Sequence, residues 1–410
     1  MQLEIGKVLQ TPAATAICVD APRPLHVRVC SSWSDLEAFR AQWNHLLRTA
    51  AGVGIFSTPE WLAAWWRSYG AGKELAVLLF FAPNDELVGL APLYSDIRKA
   101  AFGRKLTVLR LVGDGSRDSD NLDFIVRSGY EGECAKRLLS WLRDWSDWDL
   151  CVLDTLPGAS LFGESLLRHL RATDWCLLEQ RSPHLFISLP HSWEGYLQRL
   201  APEFRPLLTR YPRRLRARYK VDVYQCTRTV DLEKNLASLF SLHRKRWHER
   251  GAEGVFVNPN RRRFYQEVAS TFLKRGWLEF WLMDLDGSTV AAQFCFLFGD
   301  TAYLLQEGFD PRYANEKVGY ALRGEVLQDL IRRGVRRYDF LAGSDTYKFA
   351  FGAEQSSYLR IEFARPATGG SAHITLNRVD VGVKRWAHAN LPVPMIRLLR
   401  RALCRADENR

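Results

Sequence analysis

The feature that most constrains this chain of 410 residues is an order of elements that runs twice. Residues 277–285 and 289–298 read as two strands around Asp286-Gly287, a dipeptide suited to the positive-φ positions of a type I′ hairpin turn. Phe294, Phe296 and Phe298 alternate with Gln293, Cys295 and Leu297, the period of a sheet. A strand at 302–307, a helix over about 316–333 and a strand at 338–341 follow. Val318, Leu322, Val326 and Leu330 stripe that helix, and Gly334 stops it. Earlier, a hairpin at 75–94 turns at Pro83-Asn84-Asp85. Strands at 106–112 and 122–126, a helix at 131–145 and a strand at 149–154 come after it. Further helices are expected at 34–48, 61–69, 231–251 and 265–275, with Thr58-Pro59-Glu60 opening the second. Residue identity between the halves is weak, so the repeat is one of architecture. The expected class is α/β (α+β), with two similar halves at 25–186 and 187–365. A loose leader at 1–24 precedes them, and a basic tail at 366–410 follows.

Hydrophobic residues make up 47% and charged residues 25% of the chain, which places it among globular proteins. Its 57 basic residues exceed the 46 acidic ones by 11, which favours phosphate-bearing ligands, polyanions or anionic membrane surfaces. The eight cysteines are scattered, without Cys-x-x-Cys spacing or a histidine cluster, so no metal site is expected. Cys151 and Cys295, on apolar strands, read as small buried hydrophobes in a reducing compartment. The N-terminus lacks a signal-peptide pattern, and no apolar run approaches the roughly 20 residues of a membrane span. The expectation is a cytoplasmic protein, with the stretch Lys384 to Arg405 a candidate for peripheral contact with an anionic bilayer.

Four places carry candidate chemistry. The helix at 316–333 opens with Asn315 as a candidate cap. Lys317, Val318, Gly319 and Tyr320 then form a first turn that suits phosphate, because free N–H groups and the helix dipole attract anions. An ordinary helix with a solvated lysine is the competing reading. In His243-Arg244-Lys245-Arg246-Trp247, His243 is a candidate base, while Arg246 and Trp247 are candidate substrate contacts. A core-edge histidine satisfied by a carbonyl is the alternative. Glu307 and Asp339 lie on strands that, as neighbours, put two carboxylates on one cleft. Burial there raises a carboxylate's pKa toward neutrality. The alternative pairs such an acid with Lys348 or a nearby arginine. Finally, residues 205–220 hold seven Arg or Lys with Tyr211 and Tyr219, either a solvated helix face or an anion-binding one.

These residues resemble a known family. The stretch 187–363 resembles the acetyltransferase-like domain of the CelD/BcsL group within the GNAT superfamily. Its motifs are Leu242 to Trp247 with Gly251; Val290-Ala291-Ala292-Gln293-Phe294; Gly308-Phe309-Asp310-Pro311 with Gly319; and Tyr338-Asp339-Phe340-Leu341 through Gly343, Tyr347-Lys348 and Gly352. The N-terminal half resembles the same group through Phe56 to Trp61, Gly89 to Leu93 and the loop Gly113 to Asp123. A wider resemblance is to FemABX-type peptidyltransferases, which also pair two GNAT-like halves.

The resemblance implies tandem GNAT-like halves, each a mixed, mostly antiparallel sheet flanked by helices. It implies an acyl-CoA donor, acetyl-CoA above all, bound along strand 302–307 with its pyrophosphate on residues 317–320. The acceptor it implies is an amine or hydroxyl of a sugar, nucleotide sugar or lipid-linked saccharide of surface polysaccharide, including cellulose, biosynthesis. In direct transfer Asp339, with His243 or through water, takes the acceptor proton. Tyr347 and Lys348 position the acceptor or protonate the leaving thiolate, and Gln293 lines the substrate site. Lys317-Val318 stand where the family often has Ser-Pro, and the common GNAT pyrophosphate motif is absent. Two alternatives therefore stand: an aminoacyl-tRNA-dependent transferase, and a degenerate scaffold supporting a polysaccharide synthase.

Overall fold

The structure, a computed structural model, describes residues 24–99, 103–249, 251–343 and 345–390. The expected leader up to residue 23 lies outside them. So does the basic stretch after residue 390.

The N-terminal half contributes β1 (His26–Cys30), β2 (Glu74–Phe81), β3 (Leu87–Lys99), β4 (Lys105–Leu111), the short β5 (Ile125–Val126), β6 (Leu150–Pro157) and β7 (Cys176–Ser188). The C-terminal half contributes β8 (Val221–Gln225), β9 (Leu278–Leu285), β10 (Ser288–Phe298), β11 (Thr301–Phe309), β12 (Arg337–Ala342) and β13 (Glu354–Ala364). Around them lie helices α1 (Trp33–Glu37), α2 (Arg40–Thr49), α3 (Pro59–Tyr69), α4 (Glu131–Asp144), α5 (Leu161–Leu170) and α6 (Trp193–Arg199). They are followed by α7 (Arg205–Arg218), α8 (Thr229–His248), α9 (Pro259–Arg275), α10 (Val318–Arg332) and α11 (Gly369–Asn390).

Local chemistry explains several boundaries. Asp286 and Gly287 both take positive φ, 51° and 80°, as the β9–β10 turn requires. The Thr58 hydroxyl accepts from the Trp61 N–H at the start of α3, a cap worth about 1 kcal/mol. Gly276 ends α9 at φ 70°, in the left-handed region. The single helix expected at 34–48 is two helices, broken between Glu37 and Arg40.

The strands form one sheet in the order β1-β2-β3-β4-β6-β13-β7-β12-β11-β10-β9-β8, with β5 paired to β3. Apart from β5, this order is symmetric. Each half lays five strands outward from the centre, and the sixth strands are exchanged. β7 of the first half pairs with β12 of the second, and β13 of the second pairs with β6 of the first. β7 and β13 then pair antiparallel over eleven residues, which welds the halves into one sheet. Pairing is antiparallel throughout except at two matching places, β4 with β6 and β11 with β12. The architecture is a mixed α/β fold of two similar halves sharing one mostly antiparallel sheet.

Helices cover both faces. On one face Trp61, Phe264, Phe272 and Phe296 pack in a buried aromatic cluster that joins α3 of the first half to α9 of the second. Truncating one such ring costs about 3–5 kcal/mol. On the other face, α10 buries Val318, Leu322, Val326 and Leu330 against β9, β10 and β11, the stripe expected from the sequence. No helix among the described residues is long and apolar enough to cross a membrane.

Candidate active site

The parallel ladder of β11 and β12 covers only Thr301↔Arg337, Ala302↔Tyr338 and Tyr303↔Asp339. Past these positions the two strands part. β12 shifts register against β7 between Asp339 and Ala342, and the buried Leu341 there takes φ 57°. A bulky residue in the left-handed region is strained, and such strain collects at functional sites. β11 remains paired to β10, so its outer edge is bare along the opening.

A cavity of about 270 Å³ borders β11 beyond its last pairing with β12. It is lined by Arg246 of α8, Glu307 and Phe309 of β11, Ala314, Lys317 to Tyr320 at the start of α10, Arg323 and Tyr347. Seven sequence candidates meet here: Arg246, Glu307, Lys317, Val318, Gly319, Tyr320 and Tyr347. Lys317 occupies the cap position of α10 at φ 58°, with no side-chain cap bond. Asn315 is therefore not the cap, and the first-turn N–H groups lack a capping side chain. Gly308 lets β11 approach α8, since a Cβ there would sit 2.8 Å from the His243 backbone nitrogen.

Glu307 corrects the sequence reading. Burial pushes its carboxyl up, but Arg323 and Arg246 outweigh that and hold it below its ordinary value. It pairs with Arg246 at 3.3 Å and more closely with Arg323. Arg323 is 2% exposed, and its guanidinium lies 4.5 Å from the Phe351 ring centroid and 5.0 Å from that of Tyr347. Among the described residues the Nε atoms of Arg246 and Arg323 have no hydrogen-bond partner. Lys317, Arg246 and Arg323 thus face the cavity against one carboxylate. A site with surplus cations, orphan guanidinium donors and a helix N-terminus fits a pyrophosphate.

Glu307 and Asp339 do not flank one cleft. The register between β10 and β11 slips at Phe294/Cys295, so that Gln306 pairs Phe294 and Leu304 pairs Cys295. The extra residue, Leu305, reverses the alternation along β11. Tyr303 and its partner Asp339 face the side of α3 and α9, while Glu307 faces α10.

Asp339 borders a second cavity, of about 240 Å³, at the seam of the halves. Its walls are Gly52 to Gly54, Asn121 and Pro157 to Ala159 of the first half, His184 of β7, and Thr301, Tyr303, Arg337, Asp339, Ser356 and Ser357. Asp339 Oδ1 lies 2.7 Å from His184 Nε2 and accepts the Leu341 N–H at 2.8 Å. Arg337 Nε stands 3.7 Å from Asp339 Oδ2. The His184 ring stacks on Tyr358 at 4.5 Å. Nearby, Asp120 accepts the Ala342 N–H at 2.9 Å, and burial pushes its carboxyl up to about 6.

Four candidates sit elsewhere. His243 is buried on α8, beside Phe256 and away from both cavities just described. Burial first, then Arg246 and Arg261, lowers its pKa to about 4. Trp247 follows one turn on, its ring 5.8 Å from that of His243. Gln293 is buried on β10, its Oε1 accepting the Tyr338 hydroxyl at 3.4 Å. Lys348 is 3% exposed and donates to the carbonyls of Phe340, Ala342 and Gly343, at 3.4, 3.0 and 2.8 Å. It clamps the loop after β12 and does not line either cavity.

Sequence reasoning missed Arg323 and His184. An arginine among the apolar residues of α10 was the available signal for the first. His184 lies in Ser182-Pro183-His184, on a strand whose pattern shows no alternation, and nothing in the sequence links it to Asp339.

Residues 203–349 match a family model described as an acetyltransferase (GNAT) domain. Among solved structures, FemX superposes with a TM-score of 0.56 at 11% identity, covering 78% of this chain and 95% of that one. A conserved protein of unknown function from Bacteroides thetaiotaomicron VPI-5482 superposes at 0.52 and 11% identity, covering 83% and 100%. No curated protein matches the sequence. The fold is that of GNAT-type acyltransferases, and the matched span runs from α7 through the β11–β12 opening to Tyr347.

Proposed function

We propose that the chain is an acyl-CoA-dependent acyltransferase of the CelD/BcsL kind, with acetyl-CoA as donor. Its acceptor is an amine or hydroxyl of a sugar, nucleotide sugar or lipid-linked saccharide in surface polysaccharide biosynthesis. The observation that carries the reading is the cavity beside β11, beyond its last pairing with β12, which Lys317 to Tyr320 of α10 help to line. The thioester donor supplies the activated acyl group. The protein's own part is binding and proton management. The first-turn N–H groups of α10 and Lys317 hold phosphate, and Arg246 and Arg323 add charge. Glu307 keeps Arg323 paired and serves as a counter-ion. The bare edge of β11 offers N–H and C=O groups to an extended donor arm. Asp339 is the acid nearest the place where the strands part, and we assign the acceptor proton to its side of the sheet.

One observation favours a second reading, an aminoacyl-tRNA-dependent transferase. Helix α7 presents Arg210, Arg213, Arg214 and Arg218, and its Tyr211, Arg214 and Arg218 line a cavity with Asn315 and Glu316, next to Lys317.

Thermal-shift titration separates the two. Acetyl-CoA at a hundred times its dissociation constant is expected to stabilise the protein by about 2.7 kcal/mol. An absent acetyl-CoA shift, together with tRNA binding that weakens steeply with salt, refutes the acyl-CoA reading.

A further inference from the structure

The seam cavity lies on the face of the sheet opposite Glu307, yet it reaches Tyr303 and Asp339, the last paired positions before the strands part. Its polar groups are unlike those of the other cavity. Asn121, Thr301, Tyr303, Ser356 and Ser357 bring one amide and four hydroxyls to its walls. The carboxylate within it is already engaged: Asp339 receives the Leu341 N–H, faces Arg337 and contacts His184. Walls rich in hydroxyls, with an amide among them, suit a polyol.

The imidazole is held from two sides. Tyr358 stacks on its plane, and Asp339 Oδ1 meets Nε2 at 2.7 Å. A carboxylate in that position accepts from Nε2–H and so leaves the lone pair on Nδ1. The hydrogen bond the structure gives this ring runs through Nε2, and His184 lines the cavity, so Nδ1 is the nitrogen left for an acceptor. This is a base whose tautomer is set by a buried acid, the logic of catalytic triads without their serine.

We propose that the seam cavity is the acceptor site, that it takes a hydroxyl of a saccharide or similar polyol, and that His184, oriented by Asp339, is the general base. The proposal rests on the acyltransferase reading above and adds the acceptor chemistry, the base and a role for the N-terminal half. In the step, the acceptor O–H gives its proton to His184 Nδ1 while its oxygen bonds to the acyl carbon. The C–S bond then breaks, its electron pair leaves on sulfur, and the thiolate takes the proton from the imidazolium. Nothing is oxidised or reduced. Asp339 keeps its negative charge throughout and steadies the imidazolium. Arg337, Asp120 and Lys348 are the other charged groups around the dyad. The wall from the first half is tight. A Cβ on Gly54 would lie 2.9 Å from the Tyr303 hydroxyl, so a side chain there displaces the tip of Tyr303 and takes space from the cavity both residues line.

The test uses the full chain, acetyl-CoA as donor, and cellotriose and glucosamine as polyol and amine probes. Binding of CoA is read by thermal shift, and transfer by thiol release and the mass of the product. Expected for His184→Gln is unchanged CoA binding, thiol release lowered about 100-fold or more, and loss of the acidic limb of the pH profile. Expected for Gly54→Val is unchanged CoA binding with half-saturation by cellotriose raised at least tenfold. Wild-type CoA binding together with a His184→Gln rate within threefold of wild type overturns the base. Acetylation confined to the glucosamine nitrogen overturns the polyol assignment, and a Gly54→Val enzyme with unaltered saturation overturns the placement. A wild-type protein that does not bind CoA at all removes the donor reading itself, and this inference with it.

Discussion

At the scale of single residues, the site is organised by one buried arginine. Arg323 stands among apolar residues of α10 and is stacked against Tyr347 and Phe351. Its charge is tolerable because Glu307 pairs with it. Glu307→Gln removes the counter-charge and leaves the guanidinium buried and unpaired, which costs about 3–5 kcal/mol. The expected result is a large drop in the urea midpoint at neutral pH. A Glu307→Gln protein of wild-type stability that has lost activity would instead return Glu307 to the catalytic role the sequence first gave it. His243 carries a second residue-scale expectation. Its pKa in the folded chain is about 4, below the ordinary value of 6.5. The unfolded chain therefore binds the extra proton first. Stability from this group is complete above about pH 6.5 and is lost as pH falls through about 4. Replacing the buried ring, His243→Phe, is expected to flatten the fall of melting temperature across that window. An unchanged slope would show that other groups set it.

At the scale of elements, the sequence was readable where periodicity and turn chemistry act locally. The β9–β10 hairpin follows from Asp286-Gly287 and the alternating phenylalanines, and α10 follows from its apolar stripe. The start of α10 at 317–320, which lines the cavity beside β11, was legible for the same reason, since a helix start after a strand is a local event. The seam was not legible. Strands β7 and β13 lie in the centre of the sheet, yet Arg181, Ser182, Pro183 and His184 in the one, and Glu354 to Ser357 in the other, interrupt any strand-like run. Their pairing is a long-range event that no local pattern encodes. The bulge at Leu305 escaped for a related reason: one inserted residue exchanges the faces of everything beyond it, and nothing in Leu304-Leu305-Gln306-Glu307 marks it. That single residue separates Glu307 from Asp339 and turns an expected carboxylate pair into two sites. Gly308 then completes the arrangement, giving β11 the clearance to run beside α8 as it reaches the opening.

At the scale of the whole molecule, the two openings of the symmetric sheet have diverged. Where β4 and β6 part, matching β11 and β12, Arg110 pairs with Asp114, and Arg360 of β13 pairs with Asp154 of β6. The charges there are paired with one another, and under the proposed function the first half supplies a wall and the second the donor cleft. The strand exchange makes this division of labour inseparable from folding. β13 belongs to the second half in sequence, but it lies between β6 and β7 of the first. A fragment spanning 187–365 would keep β13 while losing β6 and nearly all of β7, leaving an eleven-residue strand without either neighbour. It would also expose Phe264, Phe272 and Phe296, now covered by Trp61. Burial of such rings is worth several kcal/mol, comparable with the roughly 5–15 kcal/mol of a whole domain. The fragment, although it contains the entire family match, is expected to aggregate or to lack near-ultraviolet circular dichroism. Co-expression with residues 24–186 is expected to restore a soluble one-to-one complex. A fragment that gives dispersed amide resonances and a cooperative melt by itself would show that the exchange decorates two independent domains, and that the seam is an interface the second half does not need.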